Sequence, residues 1–449
     1  MADLKHTFIS TLHRELLWMI FLQNVLTPDV YRFTDWTCSP LTTVRYCSQV
    51  CRDWRYILLQ SSSIWSRVID LEQLNQRGQD WKKEVLSRTG QAPLWVYGQP
   101  NISTMLFFVP FLEENWGRVQ RMQIFGLSEM PTDTFTNSLN RLAKISWNFL
   151  QKPAPSLRVI DVYLSTAVHL PNSLFGSYAP LLKRFAIQAN NYKLNTKDSW
   201  LKNLSHVIIC GNLAFEDIGG ALEQMPNLVT LEICCNNVDL DVAGPAINLP
   251  RMKKLCLSLG SNMLNGVALL ERIEPASDCC IYIQGGRGEW KPAPEEEEYE
   301  RYEDAISKHV LPCLKIHPPT VLSYIFTYDT LFIQEPSGAL HDPKHFYSEL
   351  HIPFYFEFFG SSLLMQDLID SASFSNVTEL RLGEWGQSSN FGDLVSALRA
   401  FPSVTTLKTA ENVLGLLLQN ESITRYLIPG SGNCNPEHLG FRDARTRNE

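Results

Sequence analysis

The strongest constraint on this chain is a spacing. The pattern apolar-x-x-apolar-x-apolar occurs at Leu157/Ile160/Val162, Leu182/Phe185/Ile187, Leu204/Val207/Ile209, Leu228/Leu231/Ile233 and Met252/Leu255/Leu257. Successive starts advance by 25, 22, 24 and 24 residues. The last two positions of each triplet alternate, which puts them on one face of a strand. A nearly fixed advance of this length means one strand per turn of chain, each turn too small to bury its apolar face without a neighbour. An earlier copy stands at Val119/Met122/Ile124, and later ones at Val377/Leu380/Leu382 and Val404/Leu407/Thr409. The 125 residues between 252 and 377 make about five periods, and Tyr328/Leu331/Ile333 and Tyr347/Leu350/Ile352 read as irregular copies within them. Two copies also agree outside the strand, Ala221–Leu231 and Ala397–Leu407, where an apolar helix end meets proline before the strand begins. Chance triplets in a β-rich chain do not keep so even a step over five starts.

A period of about 20–29 residues is that of leucine-rich repeats, and residues 116–428 resemble that family. The asparagine ladder of regular repeats is largely missing, so the resemblance is to an irregular solenoid. It implies a curved parallel sheet with outer helices. Leu231, Leu255 and Leu380 should then point inward, while Thr230 and Glu232 face out on a surface open to a client.

Ahead of the repeats lies a second pattern. Val44, Cys47, Cys51, Trp54 and Leu58 step by 3, 4, 3 and 4, which is one stripe of one helix, with Val50 and Ile57 on a second edge. The serines Ser61–Ser63 favour a stop, and Trp65 stands just beyond them. Upstream, Leu12, Leu16 and Ile20 form one row, with Leu17 and Phe21 beside it. Val50-Cys-Arg-Asp-Trp-Arg followed by Ser63-Ile-Trp resembles the second half of an F-box, of the kind found in large expanded fungal families. Leu12–Leu22 is similar to the first half, with His13 where a proline usually follows the leucine. The segment Leu86–Leu94 is similar to the stretch that follows these F-boxes. The resemblance implies the substrate-recognition subunit of a Skp–cullin–F-box ubiquitin ligase. In it Leu12, Leu16, Ile20, Phe21, Val50, Cys51, Trp54, Leu58 and Trp65 dock on a Skp-type adaptor, through it a cullin is reached, and the repeats hold a client protein. The alternative is an interaction scaffold working outside any ligase. A unit of about 50–60 residues encloses only a small core, so this many apolar anchors favour a docking surface over purely internal packing.

Composition narrows the remainder. A net charge of -8 over 449 residues argues against a general nucleic-acid binder. Hydrophobic content of 45% with 19% charged residues describes an ordered chain. The vicinal pairs Cys234-Cys235 and Cys279-Cys280 sit in apolar runs and read as small buried hydrophobes in a reducing compartment. The apolar run Leu16–Leu22 is far short of a spanning helix and lacks a signal-peptide layout, so a cytoplasmic or nuclear location without membrane attachment is expected. Neither a phosphate-cradling glycine loop nor a nucleophile elbow occurs. His341, Asp342, His345, Glu349 and His351 cluster, but Pro343 interrupts any helix that would align them. No enzyme activity, metal or cofactor is expected. The division expected is 1–70 for the F-box, 71–115 as a helical connector, 116–428 for the repeats and 429–449 as a disordered tail. Within the connector, Trp81–Thr89 reads as a helix capped by Gly90, Leu94–Tyr97 as a strand, and Thr104–Leu112 as a second helix. Residues 285–304, with Glu295–Glu298 among glycines and prolines, read as an acidic inserted loop.

Overall fold

The computed structural model describes residues 12–25, 39–75, 78–98, 102–125, 146–163, 170–171, 173–188, 194–210, 215–234, 245–258, 263–284, 296–316, 318–327, 330–334, 354–359, 374–385, 401–409, 414–415 and 417. They belong to two compact units, 1–317 with 337–355 and 318–336 with 356–449. The chain mixes helix and strand, and its strands form a large, mostly parallel sheet arrangement.

The first unit opens with four helices, α1 (Arg14–Asn24), α2 (Pro40–Val50), α3 (Arg52–Leu59) and α4 (Ser62–Trp65). Pro40 starts α2, where a missing N–H leaves nothing unpaired that a helix would have paired. Strand β1 (Ile69–Asp70), helices α5 (Leu71–Asn75) and α6 (Gln79–Arg88), strand β2 (Leu94–Gly98) and helix α7 (Ile102–Asn115) follow. Next come β3 (Val119–Phe125), β4 (Val159–Tyr163), β5 (Arg184–Gln188), β6 (His206–Cys210), α8 (Phe215–Glu223), β7 (Thr230–Cys234), β8 (Ile247–Leu249) and β9 (Lys254–Ser258). Helix α9 (Met263–Arg272), β10 (Ile273–Pro275), β11 (Cys280–Gln284) and α10 (Glu296–Ile316) complete it.

Nine of these strands pair in the order β1-β2-β3-β4-β5-β6-β7-β9-β11, every pair parallel. The second anchors of the triplets are register partners: Met122, Ile160, Phe185, Val207, Leu231, Leu255 and then Ile281. The third anchors form a parallel column, Ile124, Val162, Ile187, Ile209, Ile233, Leu257 and Ile283, and no side chain in either column is more than 5% exposed. The first anchors, from Leu157 to Met252, are fully buried below the strands. Strands β8 and β10 make a separate parallel pair.

The turns entering β4, β5 and β6 are packed by aromatic rings rather than asparagines. Trp116 meets Phe149 edge-on at 5.1 Å, Phe175 meets Trp200 at 5.3 Å, and Trp200 meets Phe185 at 5.0 Å. One of these turns is strained: Phe175, Gly176 and Ser177 have φ of 57°, 52° and 57°. The left-handed region costs a residue with a side chain about 1–2 kcal/mol. The turn is held by the fully buried Phe175 ring and by Ser177, whose Oγ donates to Asp198 Oδ1 at 2.7 Å. Asn195 Nδ2 donates to the same oxygen at 3.2 Å. Replacing Asp198 by alanine should therefore cost about 1–3 kcal/mol, read as a lower urea midpoint. An unchanged midpoint would mean that ring packing alone holds the turn.

Three sequence expectations change here. Val44 to Leu58 do not lie on one helix: Cys51 is extended (φ -152°, ψ 172°) and separates α2 from α3. Its sulfur accepts the Trp54 N–H at 3.4 Å, so a cysteine fills the N-cap of α3. The sheet begins at Ile69 rather than after 115, because β1 and β2 pair into it. Within the expected connector, α6, the left-handed Gly90 beyond it, β2 and α7 lie where the sequence places them. The expected acidic loop 285–304 becomes helical from Glu296. Glutamates at a helix N-terminus are favoured by its dipole, and Ala305, Ile306, Val310 and Leu314 bury one face of α10. Arg301 pairs with Glu271 of α9, and the ring Nε2 of the buried His309 lies 2.7 Å from the carbonyl oxygen of Leu270.

The second unit contains β12 (Val321–Thr327), β13 (Thr330–Gln334), β15 (Glu379–Trp385) and β16 (Thr406–Thr409), with β14 (Phe354–Phe359) crossing the sequence boundary between the units. Strands β12, β15 and β16 are parallel neighbours, with Leu322, Leu380 and Leu407 in register. The copy at Tyr328/Leu331/Ile333 is not a parallel rung. β13 runs antiparallel to β12, since two residues between Thr327 and Thr330 suffice for a hairpin and not for a crossover. The copy at Tyr347/Leu350/Ile352 and the tail 429–449 lie outside the described residues.

Candidate functional site

The N-terminal helices divide their apolar residues between an interior and a surface. Leu17 and Phe21 of α1, Leu41 and Val44 of α2, Ile57 and Leu58 of α3, and Ile64 and Trp65 of α4 are all buried. Trp54 is half-buried, with its ring edge-on to Phe21 at 4.9 Å. Trp65 Nε1 donates to the Leu58 carbonyl at 2.8 Å, and the Arg88 guanidinium stacks 4.6 Å from its ring centre. The join to the sheet is made by Asp70. Ser39 Oγ donates to its Oδ2 at 2.7 Å, and the backbone N–H groups of Glu72 and Gln73 donate to Oδ1 at 3.1 and 3.0 Å. Burial nevertheless holds the Asp70 carboxyl above its ordinary pKa.

Seven further apolar residues of these helices face water. Leu16, Met19 and Ile20 of α1 are 49%, 58% and 45% exposed, a row at i, i+3, i+4 opposite Leu17 and Phe21. Tyr46 and Val50 of α2 and Tyr56 and Leu59 of α3 are also exposed. Among the described residues, seven of the eleven large exposed hydrophobic side chains thus lie between Leu16 and Leu59. Such a concentration marks an interaction surface more than scattered exposure does.

The nine residues expected to dock an adaptor are therefore not one set in this structure. Leu16, Ile20, Val50 and Cys51 are on the surface; Leu12 and Trp54 are half-buried; Phe21, Leu58 and Trp65 are interior and hold the helices together. The sequence reasoning missed Met19, Tyr46, Tyr56 and Leu59. Met19 was legible from its place beside Leu16 and Ile20, whereas Tyr46, Tyr56 and Leu59 lie off the Val44–Leu58 stripe that the sequence reading followed.

A second concentration of chemistry lies on the sheet face opposite the apolar columns. Gln123, Asp161, Ala186, Ile208, Glu232 and Cys256 are register partners there, and none is more than 8% exposed. Glu232 is thus not an open surface residue, contrary to the expectation for this face. Asp161 accepts Arg184 Nε at 3.0 and 3.1 Å on its two oxygens and Gln123 Nε2 at 3.1 Å on Oδ2. Burial pushes its carboxyl up, against the pull of Arg184, Gln123 and Arg121. Glu232 is pushed up to about 7 by burial, with Asp161 adding to the shift and Lys254 and Arg184 opposing it. Its Oε1 has no hydrogen-bond partner among the described residues. The neighbouring row, Arg121, Val159, Arg184, His206, Thr230 and Lys254, keeps intermediate exposure.

No protein-family model matches this chain, and no curated protein matches its sequence. Among the described residues no group of three or more His, Cys, Asp or Glu side chains is placed to hold a metal ion, and no helix is long and apolar enough to cross a membrane. The cluster from His341 to His351 falls outside the described residues.

Proposed function

We propose that this chain is the substrate-recognition subunit of a Skp–cullin–F-box ubiquitin ligase. Helices α1–α3 act as the F-box and dock a Skp-type adaptor, and the sheet and its helices form an irregular leucine-rich-repeat-like solenoid that holds a client. The chain performs no chemistry itself and acts by raising the local concentration of client near the ubiquitin carrier. The observation that carries this reading is the exposed apolar surface of Leu16, Met19, Ile20, Tyr46, Val50, Tyr56 and Leu59 on three helices packed against one another. Supporting it are the half-motifs Leu12–Leu22 and Val50–Arg55 in the expected order. An interaction scaffold outside any ligase would share this surface and differ only in whether a cullin follows the adaptor.

The test uses surface residues, so that folding and docking are read apart. Leu16→Asp with Val50→Asp should reduce capture of a Skp-type adaptor by at least about tenfold, since a charge placed in a desolvated apolar contact costs more than 1.4 kcal/mol. The urea midpoint should stay at the wild-type value, because both side chains are exposed in the free chain. Undiminished capture by the double variant removes the docking assignment. Adaptor capture without a cullin in the same pull-down selects the scaffold.

A further inference from the structure

The half-exposed row on the polar sheet face has a regularity that the adaptor surface does not explain. Arg121, Val159, Arg184, His206, Thr230 and Lys254 are register partners on six adjacent strands, β3 to β7 and β9. Trp95 of β2 is the register partner of Arg121, and its ring lies 4.9 Å from the Arg121 guanidinium and 4.7 Å from that of Arg67. Six consecutive positions therefore carry three permanent cations and a histidine, in a chain whose net charge is -8.

We propose that this row binds an extended peptide segment whose carboxylate side chains match the spacing of the cations. Strands in a sheet lie about 4.8 Å apart, which puts Arg184, His206 and Lys254 roughly 10, 14 and 24 Å from Arg121 along the row. An extended peptide advances about 3.3 Å per residue and turns alternate side chains to the same face, so acidic side chains at i, i+4 and i+8 meet Arg121, His206 and Lys254 in turn. Arg67, stacked on Trp95, extends the cationic end. The buried carboxylates of Asp161, bonded to Arg184, and Glu232 lie in the adjacent row of the same face. They oppose a continuous polyanion and favour discrete acids separated by neutral residues, which selects a peptide over a nucleic acid. In the function proposed above this row is the client site, but the binding itself depends on neither the adaptor nor a cullin.

The experiment measures binding of a labelled ten-residue peptide with glutamate at positions 2, 6 and 10 to the purified full-length chain by fluorescence anisotropy. Binding should weaken with added salt. Arg121→Glu and Lys254→Glu should each reduce affinity by about tenfold or more, while Lys202→Glu, the same charge change at an exposed position outside the row, leaves it unchanged. A variant whose urea midpoint falls is replaced by Arg121→Gln or Lys254→Gln, for which a loss of about threefold is expected. Absence of binding at low salt, equal binding by the charge variants, equal binding of a peptide with its three glutamates adjacent, or tighter binding of oligothymidylate would each overturn the proposal. These outcomes are independent of the adaptor pull-down, so either reading can fail alone.

Discussion

Asp161→Ala is expected to destabilise the first unit by about 3–5 kcal/mol, the range for removing one partner of a buried ion pair. The Asp161 side chain is 2% exposed and that of Arg184 18%, and Arg184 Nε bonds to both carboxylate oxygens. Alanine leaves the guanidinium with little water and without its directly bonded counter-charge, and it also strips the Gln123 amide of its acceptor. A companion variant separates charge from packing. Asp161→Leu with Arg184→Met removes both charges and should recover most of the loss, since replacing a whole buried pair with apolar groups is often near neutral. Urea unfolding of the three proteins gives the comparison. A loss under about 1 kcal/mol for Asp161→Ala would show that solvent reaches the pair freely.

Leu231→Ala should cost about 2–5 kcal/mol, for the side chain is fully buried between its register partners Val207 and Leu255. Its neighbour Glu232 points to the opposite face and should respond to pH rather than to volume. Its folded pKa of about 7 lies above the ordinary glutamate value of 4.5. Burial thus favours the protonated form, whose contribution is complete below the unfolded pKa and is lost as pH rises through about 7. Glu232→Gln removes that loss, so the variant should gain on the order of 3 kcal/mol over wild type at pH 8 and little at pH 4. His309 works in the other direction. Burial depresses its pKa, so its contribution is present above the unfolded value and falls away on acidification. Unfolding curves of Leu231→Ala and Glu232→Gln across pH 4–8 test both claims. A small, pH-independent effect from each would mean that these two residues do not face opposite sides of a sealed sheet.

The period of the apolar triplets located β3 to β7, β9, β15 and β16, because two buried columns demand the same residues at every step. It passed over β11, where Asp278 stands in place of the first anchor and instead pairs with Lys253, although Ile281 and Ile283 continue both columns. It passed over β12 for the same reason, Pro319 occupying the anchor position before Leu322. Burial of the second face was not legible: Gln123, Asp161 and Glu232 are polar, and polar alternation in a strand ordinarily signals solvent. At the N-terminus the spacing of Val44 to Leu58 is helical throughout, and nothing in it marks the extended Cys51. Tyr46, Tyr56 and Leu59 stand off the stripe the spacing follows, so the candidate docking surface was only partly visible before the structure.

The ladder also bears on how such a chain can change over generations. Thirty-three residues connect Phe125 to Val159, against 20, 17 and 19 in the next three connections, yet Met122, Ile160, Phe185, Val207 and Leu231 stay in unbroken register. Adding residues to a connection costs only slowly growing loop entropy, while one residue inserted within a strand turns its apolar side outward. Descendants of this sequence are therefore free to lengthen or exchange the segments between rungs and are held almost residue by residue inside them. New binding specificities would enter by insertion between strands, with the framework that carries them left as it is.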